Sequence, residues 1–109
     1  MIFLTDVENF KITEGINIFY FYANWMPYNK KMIKMLCLIE EKYKNEIVAI
    51  DVETFKNQSK RFDVKSIPEI IVFNDFKEIG RVNGVLMSNP LKSFFVDIYK
   101  KINEVDNVR

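Results

Sequence analysis

Chemistry in this chain has few groups to work with. There is no histidine and one cysteine, Cys37, alongside five methionines and one tryptophan. Without imidazole the usual neutral-pH general base and the commonest metal ligand are missing, which excludes Ser/His/Asp and Cys/His mechanisms. A lone Cys37 can form neither an internal disulfide nor a structural thiolate site. Met32-x-x-Met35 would suit a soft metal such as copper, but with no histidine and one distant thiol it reads as core, so no metal and no cofactor is expected. Lys30, Lys31 and Lys34 read as a solvated helix face. What remains is mostly apolar, aromatic and thioether side chains, so a partner must be read by shape. Aromatic and thioether side chains of this kind are suitable anchors for a partner.

The elements that must position these groups follow from periodicity and punctuation. Ile16 to Tyr22, INIFYFY, is almost wholly apolar, as a strand buried on both faces should be, and it reads as the central strand. From Pro27 to about Lys44, Met32, Met35, Leu36, Ile39 and Tyr43 recur at helical spacing. Pro27 there suits the first helical position, with Met26 as an unfavourable N-cap. Ile47 to Val52 is a second strand, followed by a helix-compatible stretch from about Asn57 to Phe62. Ile70 to Phe73 and Ile79 to Val82 are joined by a polar link too short for a crossover, which predicts an antiparallel hairpin. A last helix opens at Ser88-Asn89-Pro90 with proline at its first position, and Leu91, Phe94, Phe95, Ile98 and Ile102 share one face. Met1 to Leu4 adds a short first strand, and a helical turn is expected near Val7 to Ile12.

Length and composition bound the rest. A chain of 109 residues is predicted to be one domain, residues 1–109, and 49% apolar with 15% aromatic residues is ample for a core. Sixteen basic against fifteen acidic residues leave a net charge of +1, so no nucleic acid and no membrane surface is expected as partner. The N-terminus has no basic stretch and carries early Asp6 and Glu8, unlike a signal peptide. The run Ile18 to Ala23 is far short of the roughly 20 residues that span a bilayer. A single cysteine fits a reducing compartment, so a soluble, cytoplasmic protein is expected. The richness in Ile, Asn, Lys, Phe and Tyr, with little Ala and Gly, lowers the meaning of any single Lys or Asn.

This element order, with Trp25 ending the central strand and Ile67-Pro68 before the hairpin, resembles the thioredoxin family over nearly the whole chain. Phe21-Tyr22-Ala23-Asn24-Trp25 is similar to the family's aromatic strand leading to tryptophan, with Lys30 where a lysine often follows the redox motif. Ser66-Ile67-Pro68 is similar to its cis-proline segment, and Gly84 to a glycine after the last strand. The resemblance implies an α/β thioredoxin fold, a central mixed β-sheet flanked by helices on both faces.

The departures matter as much. Where the family has Trp-Cys-x-x-Cys-Lys, this chain reads Trp25-Met26-Pro27-Tyr28-Asn29-Lys30. A thioether cannot ionise and an amide cannot resolve a mixed disulfide, so no dithiol cycle is possible. The family's buried acid aligns with Tyr20, and a lysine often paired with it aligns with Ala49. The resemblance then implies a redox-inactive domain that binds a protein or extended peptide through Trp25, Met26, Tyr28, Ile67, Pro68 and Glu69, as adaptor or subunit. Pro68 alternatively only begins a strand, Met26 only covers it, and Glu69 is either a rim carboxylate favouring basic ligands or an ordinary solvated charge. Cys37, about three turns into the helix at ~3.6 residues per turn, reads as a half-buried inert thiol. With Ile33 it makes a small second apolar stripe that could serve an oligomer. The competing class is an enzyme, either glutathione-dependent, with Tyr28 or Asn29 orienting a substrate thiolate at the helix start, or a residual thiol-disulfide oxidoreductase through Cys37. A minor alternative is the spliceosomal thioredoxin-like subunit, on Trp25-x-Pro27 with Lys31-Met32.

Overall fold

The heptapeptide INIFYFY forms β2 (Ile16–Tyr22) because each of its faces has its own core to enter. Ile18, Tyr20 and Tyr22 point to one side and Phe19 and Phe21 to the other, and all five are buried. Fully burying side chains of this size stabilises by roughly 1.5–3 kcal/mol each. The computed structural model describes residues 1–6 and 10–108. Around β2 lie β1 (Ile2–Phe3), α1 (Asn29–Tyr43), β3 (Ile47–Asp51), α2 (Lys56–Arg61), β4 (Glu69–Asn74), β5 (Lys77–Asn83) and α3 (Ser88–Val108). The five strands make one sheet in the order β1-β3-β2-β4-β5, the first three parallel and the hairpin β4–β5 antiparallel. It is a thioredoxin-type mixed sheet with helices on both faces, as the element order predicted.

Met32, Leu36 and Ile39 of α1 and Leu91, Phe95, Ile98 and Ile102 of α3 cover the Tyr20 face. Phe55 and Phe62, at the two ends of α2, cover the Phe19 face. Phe62 is the hub there, with ring centroids 5.0 to 6.0 Å from those of Phe10, Phe19, Phe21 and Phe73. The β4–β5 turn has positive φ at both Asp75 (48°) and Phe76 (70°), which a right-twisted two-residue hairpin needs. A bulge interrupts the ladder between Val72 and Phe73. Gly80 allows α3 to lie close, since a Cβ there would meet Ile98 Cδ1 at 2.1 Å.

Both proline-marked helix starts are displaced. α1 begins at Asn29, not Pro27, and its N-cap is Tyr28, not Met26. The Asn29 N–H donates to Met26 C=O at 3.4 Å, closing a turn with Pro27 second and Tyr28 third. The fixed φ of proline suits that second position as well as a helix start, and Tyr28 takes the positive φ of the third (φ 67°, ψ 5°). α3 begins at Ser88, two residues before Pro90, whose absent N–H is still among those with no intrahelical partner. The turn expected near Val7 to Ile12 falls partly outside the described residues, and Phe10 to Ile12 are irregular. Among the described residues, no helix is long and apolar enough to cross a membrane.

Candidate functional site

Strand register gathers the site at one end of the sheet. Phe21 pairs with Glu69, Tyr22 with Asp51, and Glu69 with Asn83. The segments beyond these pairs, residues 23–28, 52–55, 66–68 and 84–87, therefore leave the sheet side by side. Two bonds tie the last two together: Gly84 N–H donates to Pro68 C=O at 2.9 Å, and Asn83 Nδ2 donates to Ser66 Oγ at 3.2 Å. The Ile67–Pro68 peptide bond is cis.

Trp25 is 67% exposed and Tyr28 59%, while Met26 and Pro68 are buried and Ile67 is half-buried against the core. Trp25 is held, not loose, because its Nε1–H donates to the Glu53 carboxylate. Glu53 is held in turn by its own N–H on Asp51 Oδ1 at 3.0 Å, and Asp51 Oδ2 accepts from Asn24 at 3.1 Å. Among the described residues, neither the N–H nor the C=O of Ile67 has a hydrogen-bond partner. A cavity of about 190 Å³ opens beside it, lined by Val52, Ser59, Val64, Lys65 and Ser66.

Beneath this surface, the buried Tyr20 hydroxyl donates to Asn29 Oδ1 at 2.8 Å. Tyr20 stacks on Tyr22 (centroids 5.5 Å, planes 10° apart) and stands opposite Ala49 in the ladder. A large phenol thus occupies space that a small neighbour leaves open. Burial, then the neighbouring Tyr22, raises the Tyr20 pKa far above the usual tyrosine range, and burial followed by Asp51 raises that of Tyr22. Neither phenol is a proton donor near neutral pH.

Glu69 departs from both readings of it, since it is neither at a rim nor solvated. It is 4% exposed and its Oε1 accepts from Arg81 Nη1 at 3.2 Å. Alternation along β4 explains this: Glu69 follows the same face as Ile71 and Phe73, under α2. Arg81 also donates to Phe62 C=O (2.7 Å), Asp63 C=O (3.3 Å) and Glu78 (2.8 Å). A cation there suits the C-terminal end of α2. Glu69 therefore serves the scaffold. Cys37 is exposed, not half-buried, and Ile33 packs partly on the main core, so the two do not form one separate stripe. Among the described residues no cluster of metal-ligating side chains occurs.

The family model described as Thioredoxin matches residues 3–97. The chain belongs to the thioredoxin family. The chloroplastic thioredoxin Y of rice is 32% identical over 73 residues, covering 65% of this chain and 44% of that protein, less than half its length. A thioredoxin of Chlamydia trachomatis is 30% identical over 88 residues, 78% of this chain and 86% of the relative. Among solved structures, a chain from work on thiol resolution in yeast mitochondrial 1-Cys peroxiredoxin superposes with a TM-score of 0.72 at 23% identity. That match covers 95% of this chain and 94% of the other, and at such identity it speaks to fold alone.

Within this thioredoxin-family chain, Met26 opens the turn before α1, Asn29 is the first residue of α1, and the one cysteine lies further along that helix. The site residue that sequence reasoning missed is Glu53, and the scaffold residue it missed is Arg81. Nothing in the spacing marks Glu53, which meets Trp25 only where two loops converge. Arg81 was discoverable, because a hairpin turning at Asp75-Phe76 puts it diagonally across from Glu69.

Proposed function

We propose that this chain is a redox-inactive thioredoxin-like binding domain, an adaptor or small subunit, that grips an extended peptide segment through Trp25, Met26, Tyr28, Ile67 and Pro68. The observation that carries the reading is the unpaired backbone of Ile67 lying at the same sheet end as the exposed Trp25 and Tyr28 rings. An extended partner supplies a C=O for the Ile67 N–H and an N–H for its C=O, and aromatic side chains anchor it. Glu53 fixes the Trp25 ring, so less side-chain entropy is lost on binding. Met26 cannot form a thiolate, so whatever affinity the groove has is not coupled to disulfide exchange.

The test compares proteins held from the source lysate by the native chain and by Trp25→Ala, which alters an exposed ring and leaves the core intact. A partner retained by the native chain and lost by the variant, with its peptide shifting the Ile67 amide resonance, supports the groove. Retention unchanged by Trp25→Ala overturns it. A native chain that reduces disulfides catalytically removes the redox-inactive part of the reading.

A further inference from the structure

The outer seam between α1 and α3 contains an apolar groove that neither helix fills. Met35, Leu38 and Ile39 of α1 face Leu91 of α3 across a cavity of about 90 Å³, and Lys42, Ser88 and Lys92 also line it. Leu38 is 64% exposed. Met87, just before Ser88, and Val96, one turn beyond Lys92, are also exposed.

The surrounding charge has one sign. Lys31 and Lys34 lie one turn before Met35 and Leu38, on the same side of α1 as Lys42. Lys42 and Lys92 line the seam and Lys31 and Lys34 follow on the same side of α1, four lysines in a chain whose net charge is only +1. Among the described residues none of the four has a carboxylate within 4 Å. Of the two acids of α1, Glu40 is paired with the Met1 ammonium on the other side of the helix and Glu41 stands at the edge of the face. A single exposed leucine needs no explanation, but a leucine beside a cavity, ringed by unneutralised lysines, does.

We infer that this seam docks an acidic amphipathic segment of a protein partner, which inserts one aliphatic side chain beside Leu38 and sets Asp or Glu against Lys42 and Lys92. The cavity is smaller than the ~150 Å³ that takes a benzene, so one aliphatic side chain is the fitting payload. Charge complementarity selects an acidic partner. A second copy of this chain fits poorly, because a two-fold contact sets the patch against itself and brings eight lysines together. The seam is formed by the helices and not by the Ile67 groove, so this inference does not rest on the proposed peptide-binding function.

The test titrates the full chain with a helical peptide of roughly 15 residues, Leu at i, i+3, i+4 and i+7 and Glu elsewhere, read by amide chemical shifts. A matched peptide with Lys for Glu and vesicles of anionic lipid are the other arms. Expected are shifts at Leu38, Lys42, Leu91 and Lys92, weakening with salt, and at least tenfold lower affinity in both Leu38→Ser and the Lys42→Glu, Lys92→Glu pair. The charge-reversed pair should prefer the Lys peptide. Trp25→Ala should leave this binding unchanged, which separates it from the groove. All four altered side chains are exposed, and a thermal melt checks that the variants are folded. The inference is overturned if the Glu peptide does not bind, if both peptides bind alike, or if the shifts fall on Trp25 to Tyr28. Vesicles or self-association engaging the seam in place of the peptide overturn it as well.

Discussion

The Tyr20 hydroxyl donates a 2.8 Å hydrogen bond to Asn29 Oδ1, joining the centre of β2 to the first residue of α1. The resemblance read from the sequence aligns these two positions with the family's buried acid and its second redox cysteine. Here the pair is structural, since the phenol stays protonated and the amide is neither an acid nor a base near neutral pH. The bond pins the start of α1 over the sheet and so helps to set the height at which Trp25 and Tyr28 stand.

Tyr20→Phe should destabilise the fold by about 1–3 kcal/mol, because it strands the part-buried Asn29 oxygen. Urea midpoints measure this. The same variant should soften alkaline unfolding. The folded Tyr20 pKa is raised, so the unfolded chain loses that proton first, and stability present below about pH 10 falls as pH rises from there toward the folded value. A stability–pH curve for Tyr20→Phe as steep as the native one would contradict the assignment, allowing for the part that Tyr22 and Tyr99 also contribute.

Tyr28→Gly should stabilise the chain, against the usual direction of glycine substitutions. Tyr28 has φ 67°, and left-handed backbone costs a non-glycine residue about 1–2 kcal/mol. Tyr28→Ala, which keeps the strained conformation and removes the ring, should not stabilise. If Tyr28 anchors a partner, Tyr28→Gly gains stability while losing affinity, and the two readouts are measured on one sample.

Arg81→Ala should cost about 3–5 kcal/mol, because it leaves Glu69 buried without its cation and frees the end of α2. Glu69→Gln combined with Arg81→Ala should cost less than the sum of the single changes. A double-mutant cycle in urea gives the coupling, and strict additivity would show that the pair does not interact.

Met26→Cys with Asn29→Cys should give the chain measurable disulfide-reducing turnover, and the native chain and either single change should show none. Reduction of a small disulfide substrate, followed by absorbance, is the readout. No gain in the double variant would mean that the scaffold around the motif has also lost its competence.

The fold was legible because its strongest signals are local. INIFYFY could only be a strand buried on both faces, and Leu91, Phe95, Ile98 and Ile102 mark one face of a helix whatever lies beneath. The helix starts were less legible, since Pro27 and Pro90 satisfy a turn or a later position in the first turn as well as N1. Glu69 was misplaced because its surroundings depend on a strand twelve residues away, and the exposure of Cys37 depends on how α1 rolls on the sheet. The Trp25–Glu53 contact had no local trace.

The hairpin edge carries one more consequence. INIFYFY is rich in the β-branched and aromatic residues that drive cross-β assembly, and as an outer strand it would recruit further copies. It lies instead between β3 and β4, with no free ladder of its own. The margin that β5 presents to water carries Lys77, Glu78 and Arg81, and its ladder with β4 is kinked by the bulge at Val72/Phe73, while the opposite margin, β1, is two residues long. Short, charged or bent margins resist strand addition. The intact molecule is thereby guarded against fibril growth, and exposing its most amyloidogenic segment requires β3 or β4 to peel away first.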